Sequence, residues 1–281
     1  MWGATVLKPN PFESEKAISN SCALSMTDGR VVHVGRSDRP SAYPEHVHSC
    51  FRSIVASEKY PCVGAKAVFK RGSYRFGVYN EISEEGSTAG LCYDLYNFLA
   101  DHTDATTGLD GPFTSFVATF IGSKIESEMD FHTRLWNQLQ MMHEVDRYPW
   151  DPSVSSEIDS PNFAFSFASE ALFIVGLNPF SSRIARRFPW PAIVFNPHSQ
   201  FRLMRKQNTF SAVKATIRER DFALQGSLNP NLADYGTDSE AKQYSGVAAN
   251  GHLMCPFQAI KGKDDRKFRK RPHKVGTHAI T

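Results

Sequence analysis

The chain has 281 residues, 41% of them apolar and 22% charged, a balance that excludes a disordered chain, a collagen-like fibre and a disulfide-dense miniprotein. A chain of this length buries about three quarters of its unfolded surface and needs neither staples nor a structural metal to fold. The formal charge of +3 is unevenly placed: eight Lys or Arg face Asp264 and Asp265 between Lys261 and Lys274, while residues 1–260 hold 24 basic and 27 acidic side chains, a net of −3.

Residues 1–45 are Ser-, Pro- and Gly-rich without clear periodicity, and read as an irregular or partly ordered extension. His46 to Ser57 carries helical spacing through Val47, Cys50, Phe51, Ile54 and Val55, and must stop before Tyr60-Pro61 because proline restrains the residue before it. Gly64 to Lys70 fits a second short helix ended by Gly72, and Tyr74 to Tyr79 alternates as a strand. A helix over Thr88–His102 and a β-branched, aromatic strand over Phe113–Ile121 follow. A long helix is expected to begin at Asp130 and run to about Arg147, before an irregular loop fenced by Pro149, Pro152 and Pro161.

Phe163, Phe165 and Phe167 alternate with small residues, and Leu172 to Leu177 follows after Ser169-Glu170, as expected for a hairpin in the centre of a sheet. Glu170, Asn178 and Pro179 interrupt Phe163–Phe180, so this apolar stretch is a core segment and not a membrane span. Ala192 to Phe195 forms one more strand, and Ser199 to Ala223 reads as a single helix, the longest, capped by Ser199. Four or five strands and about five helices give an α+β (mixed α/β) single domain, a small mainly antiparallel sheet flanked by helices. The expected organisation is an extension over 1–45, a catalytic domain over 46–258 and a flexible basic tail over 259–281. Met1 to Lys16 shows no apolar core of a secretory signal, and a cytoplasmic protein is the default expectation.

Five cysteines, Cys22, Cys50, Cys62, Cys92 and Cys255, form no CxxC pair, which argues against a disulfide framework and a Cys-rich structural zinc site. Cys62 sits after a rigid proline between two helical segments. At a helix start the free N–H groups would favour its thiolate, as suits a nucleophile, a redox thiol or a haem ligand, the other reading being a buried structural cysteine. The loop Trp150–Asn162 gathers Asp151, Glu157 and Asp159 with several hydroxyls, and either lines a pocket for a cationic substrate or caps the hairpin. Arg183, Arg186 and Arg187 suit a carboxylate or propionate clamp, or form a solvated turn. His198, at a strand end before a helix, suits a general base or metal ligand, or is structural. No GxGxxG, Walker, HExxH or GxSxG motif is present. The tail segment Lys267-Phe268-Arg269-Lys270-Arg271 could touch nucleic acid or anionic lipid, but the body gives no reason to expect nucleic acid.

In chain order, Tyr60-Pro61-Cys62, Trp136-Asn137-Gln138-Leu139-Gln140, Trp150-Asp151-Pro152, Ser160-Pro161-Asn162-Phe163 and Arg183 to Trp190 form a recurring set. Asn196-Pro197-His198, Gln225-Gly226-Ser227, Gln243-Tyr244-Ser245-Gly246 and Cys255-Pro256-Phe257 complete it. The set resembles the YqcI/YcgG family over about residues 46–258, with Tyr-Pro-Cys here where the family usually has Phe-Pro-Cys. The resemblance implies a haem-dependent monooxygenase. Members characterised in guanitoxin and related pathways N-hydroxylate guanidino or amine nitrogens of amino-acid derivatives, and biosynthesis in specialised metabolism is the implied setting. It implies haem b as cofactor, O2 and an electron donor as co-reactants, and a guanidino or amino small-molecule substrate. Cys62 is the first candidate for the iron's axial ligand, His198 the second and Cys255 the third. Arg183, Arg186 and Arg187 are assigned by charge type to haem propionates or a substrate carboxylate, and Asp151, Glu157 and Asp159 to a guanidinium. A homodimer is open. Two other readings stand beside this one: a haem-free thiol- or zinc-dependent enzyme using Cys62, His198 and Cys255, and a binding protein acting through its basic tail.

Overall fold

The computed structural model describes residues 9–27, 30–35, 40–105, 113–231, 236–248 and 256–260. Cys255 and the basic tail from Lys261 onward lie outside these residues. The elements are α1 (Glu15–Asn20), β1 (Ala23–Thr27), β2 (Arg30–His33), α2 (Ala42–Ala56), α3 (Val63–Arg71), β3 (Tyr74–Tyr79), α4 (Glu85–Ala105) and β4 (Ser115–Phe120). There follow α5 (Glu128–Val145), β5 (Phe165–Phe167), β6 (Glu170–Leu177), a 3-10 turn (Ile184–Arg186), β7 (Ala192–Pro197), α6 (His198–Lys206), α7 (Phe210–Gln225) and α8 (Ala241–Tyr244).

The strands form a single open sheet in the order β2-β1-β3-β4-β7-β6-β5. Every neighbouring pair is antiparallel except β3 with β4, which run parallel. The fold is therefore α+β with a mainly antiparallel sheet, and α4 supplies the crossover that a parallel pair requires.

Alternation along the central strands sends side chains to two cores, one on each face of the sheet. Phe116, Ala118 and Phe120 of β4 join Leu91, Leu95 and Leu99 of α4 and Phe131, Leu135 and Leu139 of α5. On the opposite face Phe76 and Val78 of β3 and Val117 of β4 pack against Val47, Phe51 and Val55 of α2 and Val68 and Phe69 of α3. Gly176 of β6 permits the close approach of α5: a Cβ there would come within 2.6 Å of Phe131 and 2.7 Å of Leu135.

The hairpin, β3, β7 and α3 lie where the sequence pattern places them; three other segments differ. Residues 1–45, expected to be irregular or partly ordered, hold ordered elements: α1 packs on α4, and β1 joins β3 through Ala23–Gly77 and Leu24–Phe76. The long helix starts earlier than Asp130. Ser127 Oγ accepts from Asp130 N at 3.0 Å, and the Asp130 carboxylate accepts from Glu126 N at 3.0 Å, a reciprocal cap that makes Asp130 the third helical residue. The expected single helix from Ser199 is two helices. Asn208 adopts φ +57, and its N–H and that of Thr209 close back onto Arg205 and Met204 carbonyls at 3.1 and 3.0 Å. Asn tolerates this left-handed geometry and so ends α6 without Gly or Pro.

Candidate functional site

Pro61 ends the segment after α2, and Cys62 caps α3, its Sγ accepting from Ala65 N at 3.4 Å. The helix N–H groups were expected to favour thiolate. Those of Ala65 and Gly64 do pull the thiol pKa down, but burial outweighs them and pushes it up, so the group is a protonated thiol in this setting. The neighbouring Tyr60 phenol is also pushed up, first by burial and then by Cys62, with Arg186 opposing. Burial lowers Arg186 to about 10 against the attraction of Tyr60, Asp221 and Glu128. Cys62, Tyr60 and Arg186 are each half-buried, and Tyr60 feels the charge of both of the others.

The three arginines of the 3-10 turn have separate partners. Arg183 is 7% exposed; it pairs with Asp221 of α7 at 2.5 Å and donates to Ser227 Oγ and O at 3.1 and 2.8 Å. Arg187 Nε donates to Ser181 O at 2.8 Å. Arg186 Nη1 donates to Tyr244 O at 3.1 Å. Gly246, at φ +89, leaves room for that guanidinium: a Cβ there would meet Arg186 Cδ at 3.0 Å.

His198 opens α6 and is buried. Its Nε2 lies 3.2 Å from Oε1 and 3.1 Å from Oε2 of Glu240, which is itself buried. The Tyr244 hydroxyl donates to Glu240 Oε1 at 2.6 Å and accepts from Phe165 N at 3.0 Å. A continuous run of polar contacts therefore leads from Arg186 through Tyr244 and Glu240 to His198. Sequence spacing gave no sign of Glu240, because 42 residues separate it from His198; a buried carboxylate beside Tyr244 is recognisable only once α8 is docked.

The carboxylates of the 150–162 loop do not converge. Asp151 is buried; its Oδ1 accepts from Ser153 N and Oγ at 2.8 and 2.7 Å, and its Oδ2 from Ala171 N at 3.0 Å. Those bonds tie the loop to β6. Glu157 and Asp159 are exposed.

Aromatic residues from several of the motifs meet beneath this network. Trp136 stacks on Tyr244 with ring centroids 5.5 Å apart, and Phe257 lies within 6.0–6.3 Å of Trp136, Trp150 and Phe163. His132 Nδ1 is 2.7 Å from Ser245 Oγ. The segment 256–260 is strapped to α5 by Gln258 N to Gln140 Oε1 and Ile260 N to His143 Nε2, both 2.9 Å. Trp136 Nε1 and Trp150 Nε1 are buried with no hydrogen-bond partner among the described residues.

Beside His198, an apolar groove of about 220 Å³ is walled by Phe173, Phe201, Met204, Phe210, Val213 and Ile217, with Arg205, Lys214 and Arg218 among its lining residues. Phe201 stands edge-on to the His198 ring at 6.0 Å, and Phe173 edge-on to Tyr244 at 6.2 Å. Among the described residues, no three His, Cys, Asp or Glu side chains converge as a metal-ion cage, and no helix is long and apolar enough to cross a membrane.

A family model described as the YqcI/YcgG family matches residues 51–258. The chain is 27% identical over 220 residues to a Streptomyces lavendulae protein named "Putative N(omega)-hydroxy-L-arginine synthase DcsA", covering 73% of this chain and 80% of that one. It is 24% identical over 217 residues to the uncharacterized protein YqcI of Bacillus subtilis (strain 168), covering 74% and 84%. No solved structure matches the chain.

Proposed function

The chain belongs to the YqcI/YcgG family, and from that premise we propose that it is a haem-dependent oxygenase that hydroxylates a guanidino or amine nitrogen of an amino-acid derivative. The name of the Streptomyces relative supports N-hydroxylation of arginine as the kind of reaction. The observation that carries the reading is the run from Arg186 through Tyr244 and Glu240 to His198, in which residues of the Arg183–Trp190, Gln-Tyr-Ser-Gly and Asn-Pro-His segments are joined.

The residue types of one groove suit a haem, although its volume of about 220 Å³ would have to open to admit the whole ring. Haem is a flat apolar ring with two carboxylates, and the groove beside His198 offers aromatic and aliphatic walls with three cationic side chains in its lining. A histidine ligand commonly has its other ring nitrogen fixed by a carboxylate, and Glu240 is placed to hold the His198 imidazole in this way. Cys62 offers a second mode, with backbone N–H groups on its sulfur, but the groove is lined from α6 and α7 and not from α3. His198, which touches the groove through Phe201 and is held by Glu240, would be the residue to hold the iron, with Cys62 the second candidate. Bound haem supplies the activation of O2, with electrons from an external donor.

The chain's own residues bind and orient. Arg186 spends one nitrogen on Tyr244 O and keeps further donors for a carboxylate of cofactor or substrate, whereas Arg183 is committed to Asp221 and Ser227. Asp151 is likewise committed to the loop, and Glu157 and Asp159 are the exposed carboxylates of that loop. The test is turnover of arginine and simple amines by the haem-loaded protein with a reductant, read as a mass gain of one oxygen. His198→Ala is expected to lose both haem and turnover, while deletion of residues 261–281 leaves both intact. A haem-loaded protein that oxygenates no guanidino or amino compound would overturn the substrate assignment.

A further inference from the structure

We propose that the cleft between α4 and the β1–β3 end of the sheet binds a small α-amino acid in its zwitterionic form, at a site distinct from the groove beside His198. The cleft, of about 150 Å³, is walled by Ile18 of α1, Ala23 of β1, Val34 after β2 and Phe98 of α4. A cavity of about that volume holds benzene, so the space suits a ligand of about six non-hydrogen atoms, the size of alanine. β4 and β7 separate β3 from β6 in the sheet, and β6 supplies Phe173 to the groove. The two sites therefore belong to different ends of the sheet.

The cleft carries charges of both signs. Arg75 reaches it from β3, and helical spacing on α4 turns Asp94, Asn97 and Asp101 toward it. Arg75 Nη2 and Asp101 Oδ2 stand 3.6 Å apart, beyond the roughly 2.7–3.2 Å of an N–H···O bond. Neither side chain makes a hydrogen bond among the described residues. Both keep their bonding capacity for a ligand, the guanidinium fork for a carboxylate and the carboxylate for an ammonium. In an α-amino acid the nitrogen and the carboxyl carbon lie about 2.5 Å apart across Cα, so one molecule reaches both partners while they stay in place. Asp94 is already spent: its carboxylate accepts from Ser21 Oγ at 2.6 Å, Cys22 N at 2.9 Å and the Tyr79 hydroxyl at 2.8 Å. Those bonds tie the entry to β1 and the end of β3 to α4, and so fix the cleft's shape. Asn97 Oδ1 is likewise taken by Asn10 Nδ2 at 2.9 Å. Arg75 and Asp101, with side chains 30% and 65% exposed, stand where a ligand from solvent meets them.

The test is calorimetric titration of the full chain with L-alanine, and with ethylamine, acetate and γ-aminobutyrate, which carry one of its charges or hold both farther apart. Alanine is expected to bind saturably, and each of the other three about ten-fold more weakly. Arg75→Gln and Asp101→Asn are each expected to weaken alanine binding about ten-fold. Circular dichroism spectra matching the wild type show that these variants are folded. Absence of saturable alanine binding, or unchanged affinity in either folded variant, would overturn the site. Acetate or ethylamine binding as tightly as alanine would contradict the zwitterion assignment. None of these readouts depends on whether the chain binds haem.

Discussion

Arg186 donates to the main-chain carbonyl of Tyr244 at 3.1 Å, while the hydroxyl of the same tyrosine donates to Glu240, whose carboxylate faces His198. Tyr244 thus joins the turn after β6 to the first residue of α6 by its two ends. Gly246 lets this happen, because its φ of +89 turns the chain and its missing Cβ makes room for Arg186. Gly246→Ala is therefore expected to displace Arg186 and to cost about 1–3 kcal/mol of strain. Activity should fall further than unfolding alone explains, which a comparison of kcat with chemical denaturation checks.

Arg183 and Asp221 form a buried pair, 8% and 11% exposed at their side chains. Removing one partner strands the other charge, so Arg183→Ala is expected to destabilise the chain by about 3–5 kcal/mol. Lys in its place cannot reproduce the two-nitrogen contact with Asp221 and Ser227. Denaturant unfolding should place Arg183→Lys between the wild type and Arg183→Ala.

Tyr244→Phe deletes the acceptor of the buried Phe165 N–H and the donor to Glu240. The expected loss is about 1–3 kcal/mol. Glu240→Gln keeps an acceptor for Tyr244 but removes the charge facing His198, so it is expected to leave stability nearly unchanged and to alter the haem spectrum. Equal spectra for wild type and Glu240→Gln would separate Glu240 from the cofactor.

His48 is buried, its Nε2 2.6 Å from the Tyr74 hydroxyl, and burial, aided by the nearby Arg52, lowers its pKa from 6.5 to about 4. Between those values the unfolded chain takes up a proton that the folded chain refuses, so stability falls as pH drops from 6.5 toward 4. The contribution is on the order of 2–3 kcal/mol. His48→Gln should flatten the dependence of unfolding free energy on pH in that window; an unchanged slope would remove His48 as its source.

Elements with strong local patterning were legible in the sequence: the alternation of Tyr74–Tyr79, the Phe163–Phe167 ladder followed by Leu172–Leu177, and the stop at Gly72. β1 and β2 were not, because short strands with polar residues such as Ser25, Thr27 and Arg30 carry little periodicity, and β1 is held by pairing to β2 on one side and β3 on the other. The break at Asn208 was hidden for a related reason, since neither Gly nor Pro marks it. Cys62, Arg186 and His198 could be singled out by residue type, but Glu240 and Asp221 could not. Their roles arise from contacts 42 and 38 residues away in sequence, which only the packing of α7 and α8 creates.

The most direct measurement is the absorption spectrum of the full chain expressed with a haem precursor, recorded as isolated and then reduced under carbon monoxide, for the wild type, His198→Ala and Cys62→Ala. A haem held by His198 should give a Soret band in the wild type, a ferrous–carbon monoxide band without the strong red shift of thiolate ligation, and loss of the native spectrum in His198→Ala but not in Cys62→Ala. A strongly red-shifted band lost in Cys62→Ala would move the iron to the thiolate. A folded protein with no Soret band despite ample haem would contradict the haem assignment itself.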